Sequence, residues 1–356
     1  MTRDGDSKGR EAAGRPWQAA AIAILLLGGV GCATVVKNDR HQVFSTAKYG
    51  ADRFVLVRGY NIHYLEAGQG QPLLLIPGAF TTYRTWNRVL PQLSLHNRVL
   101  AVDYIGVGDS DKPETGFSYT VEEQADVLAE MIVALRLPRA NVVGASYGGA
   151  VALNLAARYP TLVGKVVCIE GGALITPEAL GYSKLGTLIE WPILGDITWG
   201  FMKSGLFDGI TARSVMGAAW EKLTPEEQKE VTGIFSANLQ TVSRFSWMSI
   251  YRAITGRIDF IGSLEYTQVP ILYLYGEESK YRAVTAVNAE TFEMLNPHIR
   301  IMAFKNGIHE LHLQYPQDVA RTILGFLGTE PGGNVVADGV EGLETGGASG
   351  AARVIH

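Results

Sequence analysis

Cysteine is nearly absent. Two occur in 356 residues, Cys32 and Cys168, which excludes a disulfide framework and any metal site built on thiolates. Charge imbalance is also lacking: 31 Lys and Arg against 35 Asp and Glu leave a net charge of −4. No basic stripe runs through the chain, so nucleic acid is excluded as a partner. No internal repeat stands out, and between Arg15 and Lys37 there is no charge at all. Apolar residues are plentiful, at 47%, enough for a sizeable core in one large domain or two small ones. Cys168 sits in the strand-like run from Lys165 to Ile169 and is expected to pack as a small hydrophobe.

The charge-free span holds a nearly continuous apolar run, Ala19 to Leu27, followed by Gly28-Gly-Val-Gly-Cys32. Arg3, Lys8, Arg10 and Arg15 precede it, mixed with acids. A charged start, an apolar middle and a small-residue end are the layout of an export signal. The small residues ending at Cys32 resemble the lipobox of bacterial lipoproteins, which implies lipidation of Cys32 after cleavage. Gly29 stands where that motif usually has Leu. The alternative is a single uncleaved N-terminal transmembrane anchor, because the span approaches the length needed to cross a bilayer. Both readings make the protein exported and membrane-anchored, with residues 1–36 as the signal or anchor and 37–51 as a linker.

From Arg53 onward, strand and helix patterns alternate. Arg53 to Arg58 and Asn61 to Leu65 read as a hairpin. Pro72 to Ile76 and Asn97 to Val102 are continuous apolar runs of the kind buried on both faces of a parallel sheet. Thr120-Val-Glu-Glu123 reads as a capping box opening a helix to about Leu135. Further strands are expected at Val142–Val143, Val166–Ile169, Val269–Tyr275 and Ile299–Phe304. This alternation predicts an α/β fold with a mostly parallel sheet and helices on both faces. Residues 171–264 lack comparable strands, contain Trp191, Trp199, Trp220 and Trp247, and read as an inserted helical cap. That leaves a core of residues 52–170 and 265–328, and a Gly-rich tail, 329–356, expected to be disordered.

The chemistry centres on Asn141-Val-Val-Gly144-Ala-Ser146-Tyr-Gly148-Gly-Ala150. A short β-rich run enters this segment and a helical run leaves it. Gly144 and Gly148 flank Ser146 at the spacing of a nucleophile elbow, whose sharp strand-to-helix turn leaves no room for side chains two residues to either side. Ser146 would then stand above the sheet at the start of a helix, placed to attack an electrophilic carbon.

With three further landmarks, the chain resembles the capped branch of the α/β-hydrolase family from about Arg53 to Leu327. Ile76-Pro77-Gly78-Ala79-Phe80 stands where the family has His-Gly-x-x. Asp103-Tyr-Ile-Gly106-Val-Gly108-Asp-Ser110 matches its Asp-x-x-Gly-x-Gly-x-Ser loop, and Gly307-Ile-His309 leads to Pro316 as in its Gly-His…Pro segment. Pro77 replaces the usual His, which bears on how the oxyanion loop is braced.

A Ser hydroxyl needs a base. His41, His63 and His356 fall in the linker, hairpin and tail, and His96 and His298 precede strands. His309 follows the last strand and shares the sheet's C-terminal edge with Ser146, so it is the expected base. His312 is expected to pack the loop. The base needs an anion to fix its tautomer. The resemblance puts Asp three residues after the Gly ending strand seven, but Gly276-Glu-Glu-Ser279 has Ser there. Glu170, at the strand end used by certain capped relatives, is the first choice of acid and Glu278 the alternative. The oxyanion hole would take backbone N–H groups from Tyr147 and Ala79, with Phe80 the alternative to Ala79.

The resemblance implies a serine hydrolase (carboxylesterase- or lipase-like) cleaving an ester or related acyl bond of a hydrophobic small molecule. It implies no metal and no organic cofactor. Ser in place of Asp as nucleophile argues against haloalkane dehalogenase and epoxide hydrolase chemistry. Two alternatives stay open: carbon–carbon bond hydrolysis of a vinylogous diketone by the same residues, and a membrane-tethered binding protein without catalysis, favoured by the absent Asp at 279. The sequence leaves the oligomeric state open.

Overall fold

A computed structural model describes residues 49–180, 184–329 and 353–355. The expected N-terminal segment with Cys32, most of the linker and residues 330–352 of the tail lie outside the described residues. No helix among the described residues is long and apolar enough to cross a membrane.

The main sheet is built from β1 (Ala51–Val57), β2 (Tyr60–Ala67), β3 (Gln71–Ile76), β4 (Asn97–Val102), β5 (Ala140–Ala145) and β6 (Val163–Ile169). The chain then forms two short strands in the cap, β7 (Leu174–Ile175) and β8 (Ile258–Asp259). It returns to the sheet as β9 (Ile271–Gly276), β10 (Ile299–Phe304) and β11 (Arg353–Ile355). The order is β1-β2-β4-β3-β5-β6-β9-β10-β11. Only β2 runs against its neighbours, antiparallel to β1 and β4, and every pairing from β4 to β11 is parallel. A parallel edge strand at 353–355 thus stands within a tail expected to be disordered.

The apolar runs explain the layering. Successive side chains of a strand point to opposite faces, so Leu74 and Ile76 join one core and Leu73 and Leu75 the other. Val142 and Val143 divide in the same way. Helices Val121–Ala134 and Tyr147–Arg158 bury their apolar sides against the first face, and Pro316–Leu327 against the second. Thr120 caps its helix by accepting from the Glu123 amide, but the Glu123 carboxylate turns to Ser118 rather than completing the expected box. β3 leads to β4 on one side, whereas β5 lies on the other. The crevice at the C-terminal ends of β3 and β5 is therefore a topological switch point, where open α/β sheets bind ligands.

Between β6 and β9 the chain forms helices Lys184–Glu190, Pro192–Lys203, Asp208–Met216, Pro225–Thr241 and Arg244–Thr255. The antiparallel pair β7–β8 ties together the points where the chain leaves and re-enters the core. A complete capping box, Thr224 with Glu227, starts the longest cap helix. Trp247 stacks on Phe80 of the core at 4.6 Å and meets Trp199 at 6.2 Å, and Trp220 packs against the cap's own apolar cluster. That cluster, with Met216, Val231 and Ile234, also takes in Ile308 and Leu313 from the loop around His309. Arg88 fastens the same corner, donating to Glu227 of the cap and to the Leu313 carbonyl.

Candidate active site

β5 ends at Ala145 and the next helix begins at Tyr147, leaving Ser146 alone to make the turn with φ 54° and ψ −119°. The flanking glycines are a steric necessity. A Cβ on Gly144 would lie 2.1 Å from the Gly148 carbonyl oxygen, and one on Gly148 would lie 2.3 Å from that of Ile76. Cys168 packs beneath this turn as a buried free thiol, its Sγ 2.9 Å from where a Cβ of Gly149 would fall.

Glu170 directly follows β6 and also takes a left-handed backbone, φ 54°. Its carboxylate is buried and fully engaged. Oε1 accepts from the Gly276 amide at 2.5 Å, and Oε2 accepts from the Ser279 hydroxyl at 2.6 Å. His309 Nδ1 lies 2.9 Å from the same Oε2. Three partners satisfy a charge that would otherwise be costly to bury. Glu278, the alternative acid, is exposed and makes no hydrogen bond to His309 among the described residues; its backbone amide donates to the Gly307 carbonyl instead. The sequence identified Ser279 only as a missing carboxylate, and its role as donor to Glu170 was not foreseen. Tyr281 packs edge-on against the His309 ring, 4.6 Å between centroids.

The loop after β3 closes over Ser146. The Gly78 carbonyl is held by the Thr81 amide and hydroxyl and by the Tyr104 hydroxyl, so Tyr104 and Thr81 brace a loop that has Pro77 in place of His. Asn238 of the cap accepts from both the amide and hydroxyl of Thr82. Phe80, at φ 64°, makes the turn. Ala79, Phe80, Ser146, Tyr147, Glu170 and His309 all line one cavity of about 580 Å³. Ser146 and His309 share it without a hydrogen bond between them among the described residues, the loose arrangement free enzymes commonly show. The remaining walls are mostly apolar and come largely from the cap, including Phe201, Met202, Phe207 and Val215. Lys280, exposed, is the only Lys or Arg among the described lining residues.

His312 lies apart from this chemistry. It is buried, lies 2.9 Å from the Thr85 hydroxyl through Nε2, and packs on Trp86. Burial pushes its imidazole down to about 4, with Glu310 opposing. The unfolded chain would take this proton near the ordinary 6.5, so the stabilising effect of a neutral His312 is complete above that value and declines as pH falls towards 4. The loss is on the order of 3 kcal/mol. Thermal unfolding from pH 7 to pH 4 should show it, and His312→Gln should flatten that part of the profile; an unchanged slope would contradict the assignment.

His63 and Asp103 form a second buried pair at 2.8 Å, and Asp52 also reaches the ring at 3.1 Å. Burial opposes a charge on His63, but Asp103 and Asp52 outweigh it and raise its pKa. Asp103 also accepts from the amides of Tyr83 and Asp109, which makes it a fastener of the loop before the cavity.

Comparison with known proteins agrees with this fold. A family model for the alpha/beta hydrolase fold matches residues 71–207. The 2-hydroxy-6-oxo-2,4-heptadienoate hydrolase of Pseudomonas putida is 38% identical over 118 residues, 32% of this chain and 42% of that protein, so the chain spans less than half of that relative. The 2-hydroxy-6-oxo-6-(2'-aminophenyl)hexa-2,4-dienoic acid hydrolase of Metapseudomonas resinovorans is 25% identical over 288 residues, 78% of this chain and 90% of that protein. A crystal structure of a hydrolase from Pseudomonas aeruginosa superposes with a TM-score of 0.63 at 24% identity, covering 78% of this chain and 99% of that one.

Proposed function

We propose, from the premise that this chain has the α/β-hydrolase fold, that it is a serine hydrolase of carboxylic esters or related acyl compounds with hydrophobic parts. The observation that carries this reading is the convergence of Ser146, His309 and the buried Glu170 carboxylate on one apolar cavity. Glu170 holds the proton of His309 on Nδ1, leaving Nε2 free to accept. Ser146 Oγ gives its proton to Nε2 and attacks the carbonyl carbon. The oxyanion is met by backbone N–H groups of Tyr147 and of Ala79 or Phe80. The C–O bond breaks, and the leaving alkoxide takes the proton from the imidazolium. Water, deprotonated by His309, then releases the acid and restores Ser146.

Carbon–carbon bond hydrolysis is the second reading, favoured by the names of the two curated relatives. It requires a place for the carboxylate of a dienoate, and Lys280 is the only Lys or Arg among the described lining residues. That poverty of positive charge favours a neutral, apolar acyl substrate. The best argument for a non-catalytic binding protein is Ser279, but Glu170 engages the imidazole that an Asp at 279 would otherwise serve. The N-terminal segment, through a lipid on Cys32 or an uncleaved anchor, would hold the enzyme to a membrane on its exported side.

Nitrophenyl esters of increasing chain length should be tested beside dienoate ring-fission products. Ester kcat/KM should exceed that of the dienoates by roughly tenfold or more and rise with acyl length. The opposite ratio would establish the second reading, and turnover of neither would defeat both.

A further inference from the structure

The cap carries an apolar face that the proposed reaction does not require. Nine of the seventeen exposed large hydrophobic side chains among the described residues fall within residues 188–210. Trp191 is 61% exposed, Ile193 79% and Ile210 67%. Ile193, Ile197 and Phe201 stand four residues apart on one helix and form a stripe along it. The opposite side of that helix is already used, since Trp199 packs inward towards Trp247. Two of the three acids in this segment are paired: Arg252 holds Glu190 at 3.2 Å and Arg244 holds Asp196 at 2.7 Å, while Asp208 lines the cavity. A concentrated apolar patch of this kind marks an interaction site rather than chance exposure.

Two residues join the patch to the chemistry. Phe201 and Phe207 are both exposed and both line the cavity that holds Ser146. The apolar surface therefore continues from the outside of the cap into the cavity. A protein seated on this face would cover Phe201 and Phe207, where the outer surface and the cavity meet. A lipid layer, by contrast, can itself hold an apolar substrate there. Trp and Phe at the edge of an amphipathic helix also suit the boundary between headgroups and acyl chains.

We propose that residues 188–210 dock on a lipid surface, independently of the N-terminal segment, so that the cavity draws its substrate from the acyl-chain layer. The activity arm of the test rests on the acyl-hydrolase reading, whereas the binding arm does not.

The test compares the full chain with its Trp191→Ser/Ile193→Ser/Ile210→Ser variant; none of the three side chains lines the cavity. The N-terminal segment is present in both, so any difference reports the cap. Hydrolysis of a long-chain ester embedded in phosphatidylcholine vesicles should fall by about tenfold or more, while dissolved nitrophenyl butyrate should change less than twofold. In parallel, brominated phosphatidylcholine vesicles should quench Trp191, seen as a quenchable component missing from Trp191→Phe. Equal vesicle rates with equal quenching would overturn the proposal. So would a wild-type dimer that the triple variant breaks without loss of vesicle activity, since the patch would then join two copies. If the wild type hydrolyses neither ester, the acyl-hydrolase reading fails and the quenching alone decides the docking.

Discussion

Ser146→Ala should lower ester hydrolysis by about a millionfold in kcat and abolish labelling by a fluorophosphonate probe. The size of the effect follows from the geometry. The turn at 146 puts a hydroxyl over the sheet between two residues without side chains, Gly144 and Gly148, and the nearby Thr81 hydroxyl is engaged with the Gly78 carbonyl. What survives would come from the oxyanion donors and binding alone. The variant should remain folded, because Ala is smaller than Ser and the Ser146 side chain makes no capping hydrogen bond. Labelling that persists at the wild-type level in Ser146→Ala, measured beside its unfolding curve, would remove Ser146 from the reaction.

Glu170→Gln should cost about 10⁴ in kcat, whereas Glu278→Gln should change it less than twofold. The reason lies in which end of the new amide would point where. The Gly276 amide donates to Oε1, so the carbonyl oxygen of Gln must stay there. The NH₂ group then occupies the position of Oε2, facing His309 Nδ1 and the Ser279 hydroxyl. Nδ1 would have to accept, the ring proton would move to Nε2, and the base would be blocked at the nitrogen that should take the proton from Ser146. Steady-state kinetics of the two variants separates the acids. Full activity in Glu170→Gln, or a large loss in Glu278→Gln, would reverse the assignment.

Much of the sheet was legible in the sequence because buried parallel strands are continuous apolar runs, and β4 begins and ends where Asn97 to Val102 indicated. The elbow was legible because close approach of backbone requires glycine at 144 and 148, and glycine is visible in a sequence. Glu170 ranked above Glu278 only through the resemblance, and the geometry that seats it was not legible. It depends on a left-handed residue at the end of β6, and nothing in the letters Cys-Ile-Glu-Gly announces that backbone. Phe80, Ser146 and Glu170 are all non-glycine residues with positive φ, and all line the cavity. Such strain costs about 1–3 kcal/mol at each position and persists only where the surroundings enforce it. A local reading that expects each residue to follow its own preference is least informative at these three positions. The capping box at Thr120 shows the converse, a local motif that Ser118 partly diverts.

The corner where Ile308 and Leu313 enter the cap's apolar cluster bears on how this architecture can be rebuilt. Ser146 and Glu170 take their hydrogen-bonded supports from the sheet and its adjoining loops: the Ser146 and Glu170 amides donate to Ile169 and Leu274, and Gly276 and Ser279 hold the carboxylate. His309 is a tenant of both layers, since its loop neighbours Ile308 and Leu313 pack into the cap's cluster and Arg88 ties the Leu313 carbonyl to Glu227. Grafting a foreign cap onto this sheet would leave two members of the constellation seated and unseat the third. Engineered chimaeras that aim to change selectivity would therefore need to carry the 308–313 segment and Arg88 together with the transplanted helices.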